Sequence, residues 1–256
     1  MDSLEYVPQT ASYTIKVLDR GFVTLHNVAG PTRRQLNVDH DGDCFLRDFD
    51  ADDTDFANSA RMSFDQMNSG RTREDDLKLA AYLMRNRHTT PIEMVTVWLE
   101  MKLPIFVARQ FVRHRTVSIN EVSGRYVTLP AEWYIPDVVG GAASNKKQGQ
   151  VDNLSQEMQH MFKQELDQDC KESYNKYLYF INRGVAPEHA RMFLHTNHYT
   201  HWLWKQDLHN LMHFLSLRDH SHAQIEAQLY AQAITSLLEK ALPDAMELYR
   251  NFRRHD

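Results

Sequence analysis

The chain has 256 residues, 42% hydrophobic and 25% charged, with 29 Lys and Arg against 34 Asp and Glu for a net charge of −5. That length suits one domain with a full core. The negative balance argues against a general affinity for nucleic acid or anionic membrane, so an anion site here must be a local concentration of Arg and His.

Two cysteines, Cys44 and Cys170, support neither a disulfide framework nor a four-thiolate zinc site. No apolar run approaches the roughly 20 residues that span a bilayer. The opening MDSLEYVPQT lacks an apolar stretch flanked by positive charge, so it does not read as a signal peptide, and a reducing, cytoplasmic setting is expected.

Residues 13–28 alternate apolar and polar, which predicts two strands with a turn at Gly21. Residues 38–53 are acidic, but the Gly and terminal Glu of a calcium loop are out of place, and a solvated loop is expected. A short helix is predicted over 55–67. A better one runs from Thr72 to Asn86, with Thr72 as cap, acids in the first turn, and Leu77, Ala80, Ala81 and Met84 at a 3–4 spacing. Pro91 should end it by turning Thr90 away from helix. Val95, Val97, Leu99, Met101 and Leu103 alternate with polar or exposed-type neighbours, a strand with one buried face. Pro104 suits the first turn of a helix reaching His114, and this puts Gln110, Arg113 and His114 on one face, opposite Phe106 and Val107. The chain then unrolls into a polar loop.

Residues 139–152 predict a surface loop, and 153–183 a long helix stopped by Gly184. A short helix opens at Pro187, and a strand follows over 196–204. Asp207 is expected to cap DLHNLMHFLSLR. Ser221 and Gln224 suggest a capping box for a last helix over 222–241. There is no internal repeat and no linker between comparable halves. The fold class is α+β, one domain with a small antiparallel sheet and several helices; residues 1–12 read as an N-terminal extension.

The densest chemistry lies in RHRTVSINEVSGRY, residues 113–126. Arg binds phosphates and planar anions through a rigid fork of donors, while Ser and Asn add neutral hydrogen bonds. Glu121, inside this basic cluster, can orient an arginine or accept from a ligand hydroxyl or N–H. On residue types alone a small-molecule phosphate site is favoured over a surface salt-bridge loop or a nucleic-acid patch. The chain has no GxGxxG and no GxxxxGK[ST], so a nucleotide here is not held by a glycine-rich turn. Its 14 histidines cluster late. His209 and His213 sit one helical turn apart and can bind a metal, but residue 210 is Asn, HExxH is missing, and no metal is expected.

Arg113-His114-Arg115, seven residues, then Ser123-Gly124-Arg125 resembles the signature of the flavin-dependent thymidylate synthases. ARMSF at 60–64, HTTPIE at 88–93, PIFVARQFVRHR at 104–115 and LSLRDHSHAQIE at 215–226 resemble the same family. The resemblance implies a homotetramer with active sites shared between subunits. It implies synthesis of thymidylate from dUMP, with methylenetetrahydrofolate giving the carbon and NADPH reducing a bound FAD. Gln110, Arg113, Glu121, Ser123, Gly124, Arg125 and Arg191 match dUMP positions. Ser63, His88, Thr90, Arg113, His114, Arg115 and Glu121 match the flavin site, and Arg218 matches the arginine that activates the pyrimidine. Asp207, His209 and His213 stand where members often carry Asn, Arg and Asn. By the resemblance the histidines donate to the flavin, with Asp207 also capping its helix. Met94 stands where some relatives have His.

An arginine suits the activating role because it stays charged while stabilising a deprotonated uracil. Neither cysteine has the electropositive setting that would lower a thiol pKa, so a route without a cysteine nucleophile is expected.

Overall fold

The computed structural model describes residues 13–31, 37–38, 44–45, 52–142, 150–151 and 154–254. Strands β1 (Thr14–Val17) and β2 (Gly21–Ala29) form a hairpin, and β3 (Asn37–Val38) pairs with β4 (Cys44–Phe45). Helices α1 (Asp55–Arg61), α2 (Arg73–Arg85) and α3 (Thr90–Glu93) precede β5 (Thr96–Pro104), α4 (Ile105–Phe111) and β6 (Ser118–Glu121). Strands β7 (Gly141–Ala142) and β8 (Gln150–Val151) pair, and α5 (Gln156–Ile181) and α6 (Pro187–Ala190) follow. Then come β9 (Tyr199–Asp207), α7 (Leu208–Arg218), α8 (Ile225–Ala241) and α9 (Pro243–Phe252). This is a single α+β domain.

Its main sheet runs β1-β2-β5-β9-β6, antiparallel at every pairing. Leu99 stands opposite Leu25 on one side and Trp204 on the other. The alternation of β5 therefore delivers Val97, Leu99, Met101 and Leu103 to one buried face, shared with Trp202 and Trp204 of β9. Helices α4, α7 and α8 cover that face. Phe111 of α4 meets Phe214 of α7 edge-on at 4.8 Å, and both rings lie against Trp204, at 6.3 and 5.6 Å. Such aromatic pairs add about 1 kcal/mol each beyond their burial. They fix the ends of α4 and α7 relative to one another, which matters for the site. No helix among the described residues is long and apolar enough to cross a membrane.

Two predicted caps are present: Thr72 Oγ1 accepts from the Asp75 N–H at 3.2 Å, and Asp207 Oδ1 accepts from the Asn210 N–H at 2.8 Å. Other expectations are corrected. The hairpin turn is Leu18–Arg20, with Leu18 at φ 59°, and Gly21 already belongs to β2. The short helix over 55–67 ends at Arg61 and tightens into a 3-10 turn, Met62–Phe64. Thr90 opens α3, because Pro91 occupies a first-turn position where its missing N–H is not needed. Helix α4 stops at Phe111, so Arg113 and His114 lie in the turn beyond it.

The polar loop contains β6, an edge strand whose Ser118 and Glu121 face β9 residues Lys205 and Trp202. Within 139–152, β7 and β8 pair; residues 143–149 lie outside the described residues, as does the extension 1–12. The strand expected at 196–204 begins at Tyr199. Gln224 sits at the N-cap of α8 without a capping bond, because its side-chain oxygen is engaged by Gln110 Nε2 at 2.6 Å. Finally α8 is not last: α9 follows, burying Ala245, Met246 and Tyr249.

Candidate active site

The site is assembled where α4 and α7 end side by side. Arg218, the last residue of α7, donates through Nε to His114 Nε2 at 3.2 Å and through a terminal nitrogen to the Gln110 carbonyl at 3.4 Å. Gln110 is itself tied to Gln224 at the start of α8. His114 packs edge-on against Phe214 at 4.9 Å. Burial first, then the charge of Arg218 and of His213, pushes the His114 pKa down to about 4, so its ring is neutral near pH 7. Burial and the neighbouring Arg113 lower the Arg218 pKa as well, but a guanidinium still stays protonated. Arg113, Arg115 and His213 are exposed beside this cluster.

A second group lies past the end of β6. Glu121 accepts from the Thr200 hydroxyl. The Ser123 carbonyl accepts from the N–H groups of Tyr126 and Val127 at 2.9 and 3.2 Å, and its Oγ accepts from the Arg125 N–H at 3.3 Å. These bonds fold 123–127 into a tight turn. Gly124 is buried in it; a Cβ there would stand 3.1 Å from Leu129 Cδ1 and 3.4 Å from Arg191 Cδ. The turn is thus pressed against Arg191, and Arg125 Nε reaches Glu188 Oε2 of α6 at 3.0 Å. Both Arg125 and Arg191 are exposed.

A third group is Ser63, His88 and Thr90, exposed on the α1–α3 side. Ser63 lies in the 3-10 turn, which Arg61 anchors to α2 through Asp76. His88 meets Tyr82 edge-on at 5.6 Å. Among the described residues no hydrogen bond or ion pair joins the three groups within one chain.

At the start of α7, both Asp207 oxygens are taken by Asn210, its N–H and its Nδ2, each at 2.8 Å. Asp207→Ala should therefore lower stability by about 1 kcal/mol, read as a shift in urea midpoint. His209 Nδ1 lies 3.5 Å from an Arg253 terminal nitrogen, and burial, then Arg253, lowers its pKa. Sequence reading missed Arg253; its only signal was the basic run FRRHD beyond the expected last helix. Among the described residues no three His, Cys, Asp or Glu side chains form a group that could hold a metal ion.

Cys170 is elsewhere. It is buried, 3.5 Å from His195 Nδ1 and from Asn197 Oδ1, and burial raises its pKa. The Cys44 side chain lies outside the described residues.

An α+β domain that sets Arg113, Arg115 and Arg218 about His114, with no glycine-rich turn, presents the class of site in which side-chain donors can hold a planar anionic ligand. The comparisons with known proteins narrow the class. A family model described as thymidylate synthase complementing protein matches residues 45–244. The flavin-dependent thymidylate synthase of Gluconobacter oxydans is 41% identical over 216 residues, 82% of this chain and 71% of that protein. That of Thermus thermophilus is 41% identical over 230 residues, 90% of this chain and 76% of that protein. Among solved structures, a UMP/dUMP methylase, PolB from Streptomyces cacaoi, bound with 5-Br dUMP, is similar with a TM-score of 0.76 at 25% identity. That match covers 94% of this chain and 99% of the other. The chain belongs to the family of flavin-dependent thymidylate synthases.

Proposed function

We propose that this protein makes dTMP by reductive methylation of dUMP in the cytoplasm, with methylenetetrahydrofolate as carbon donor and FAD, reduced by NADPH, as hydride source. The observation that carries the reading is Arg218, held on one edge by His114 and the Gln110 carbonyl. A guanidinium so anchored beside uracil N3 and a ring carbonyl stabilises the deprotonated ring and raises electron density at C5. Arg125 and Arg191, on the surface around the Gly124 turn, suit the nucleotide phosphate, with Gln110, Arg113, Glu121 and Ser123 completing the contacts.

The donor set fits FAD. Arg113 and Arg115 are exposed cations beside the half-buried His114, and His213 adds a further exposed donor on the same helix as His209. These side chains, with Glu121, Ser63, His88 and Thr90, would hold it, while Asp207, expected beside the flavin, has both oxygens engaged by Asn210 and serves to cap α7. When bound, FAD supplies the hydride that completes the new methyl group.

Two nucleophiles are disfavoured. Cys170 is buried with a raised pKa, far from the thiolate character such a step needs. Ser123 Oγ is engaged with a backbone N–H and has no basic side chain in contact among the described residues.

Helix α5 supports a homotetramer that completes each site between subunits: its 26 residues bury only Cys170 and Tyr177 and leave Met158, Met161 and Phe162 exposed at 45%, 49% and 45%. A contiguous apolar stripe of that kind is what a second copy covers.

Anaerobic mixing tests the reaction class. Flavin pre-reduced with NADPH should be reoxidised by methylenetetrahydrofolate only when dUMP is present; reoxidation without dUMP would point to a flavoprotein acting on another acceptor. Arg115→Ala should weaken FAD at least about tenfold, roughly one lost charge-assisted contact, and dUMP less. Titrations with the two ligands check this, and the reverse ordering would contradict it.

A further inference from the structure

We infer that His114 is a positioning residue for Arg218: its imidazole accepts from the Arg218 Nε–H and, with the Gln110 carbonyl, fixes the plane in which the guanidinium is presented. This rests on the reading of Arg218 as the group that activates the uracil, and it gives His114 a task separate from holding flavin.

The geometry leaves little choice of roles. A guanidinium only donates, so a contact between Arg218 Nε and His114 Nε2 at 3.2 Å requires a lone pair on that ring nitrogen. The ring must be neutral, with its proton on Nδ1. The surroundings keep it so: burial, Arg218 and His213 all disfavour the imidazolium, and no carboxylate is among the groups that shift it. The ring is in turn oriented by its edge-on contact with Phe214, which is wholly buried between Phe111 and Trp204. The second anchor is equally fixed, because the Gln110 side chain is bonded to Gln224 of α8. One edge of the guanidinium is thus used up, and among the described residues no hydrogen bond or ion pair occupies the other, which can face a planar ligand. An arginine side chain otherwise has wide rotamer freedom, and freezing it beforehand removes a cost that would fall on the reacting complex.

The test uses the full chain with FAD bound. His114→Phe keeps a ring against Phe214 but has no acceptor; His114→Gln keeps an acceptor. Three quantities are read: kcat, FAD affinity, and the N3 pKa of bound 5-fluoro-dUMP followed by its fluorine resonance. His114→Phe should lower kcat about thirtyfold and raise the N3 pKa by roughly one unit, with FAD binding changed alike in both variants. His114→Gln should recover most of both losses. The inference is overturned if His114→Phe matches the wild type in kcat and N3 pKa, or if His114→Gln is as impaired as His114→Phe. His114→Ala replaces His114→Phe should the latter fail to fold, with the same expectations. Arg218→Ala, measured alongside, separates the two readings. If that variant is inactive while His114→Phe is normal, only the positioning role fails; if it stays active, the role given to Arg218 fails first.

Discussion

Arg218→Ala is expected to lose methyl transfer by about a thousandfold or more while the protein still folds and binds flavin. The magnitude follows from removing a preorganised donor aimed at developing charge, which typically costs 10²–10³ in rate, compounded here by loss of a cation tied to both α4 and His114. Folding should survive because Arg218 lies at a helix end, half-buried, and its partners are a backbone carbonyl and an imidazole rather than a carboxylate left unpaired. Turnover by product chromatography and flavin content by absorbance check the two halves. Arg218→Lys should also be poor, since an ammonium cannot reproduce a planar fork. Turnover like the wild type in Arg218→Ala would remove the basis of the proposed mechanism.

Gly21→Ala should be strongly destabilising. A Cβ at Gly21 would stand 1.9 Å from Tyr230 Oη and 2.7 Å from the backbone oxygens of Lys102 and Val17. The tyrosine cannot step aside cheaply: it is buried in α8, and its hydroxyl donates to the Lys102 carbonyl at 2.7 Å. The two carbonyls belong to the strands on either side of Gly21, so relief means distorting β1 or β5. A loss of about 3 kcal/mol is expected, a fall of roughly 6–12 °C in melting temperature for a chain of this size. Tyr230→Phe in the same chain should relieve only part of it, since the backbone contacts remain. An unchanged melting temperature for Gly21→Ala would show that the sheet gives way more easily than its packing implies.

That same glycine shows where sequence reading stops. As a residue type it suggested a turn; its actual role is set by Tyr230, more than two hundred residues later, and no local pattern carries that information. What was legible was local. Period-2 alternation located β5, and Thr72 and Asp207 revealed their helix starts because a cap acts over three residues. Strand β6 was hidden because its Ser118–Glu121 stretch sits mostly exposed at a sheet edge and pairs through its backbone. Helix α9 lies beyond the last helix expected, at 222–241, although Ala245, Met246 and Tyr249 have helical spacing and Pro243 suits its first turn.

The site divides in the same way. The motif identified Arg113 to Arg125, Arg191 and Arg218 as chemistry-bearing residues. It gave no hint that Arg218 reaches back 104 positions to His114, or that Gln224 is spent on Gln110 rather than on its helix. Those contacts depend on the Phe111–Phe214–Trp204 packing that sets α4 against α7.

The most direct measurement is tritium release from 5-tritiated dUMP by the protein with FAD, NADPH and methylenetetrahydrofolate, omitting each in turn. Release should require the complete mixture and vanish in Arg218→Ala. Absence of release from folded protein with flavin bound, or release that persists in Arg218→Ala, would contradict the proposed function.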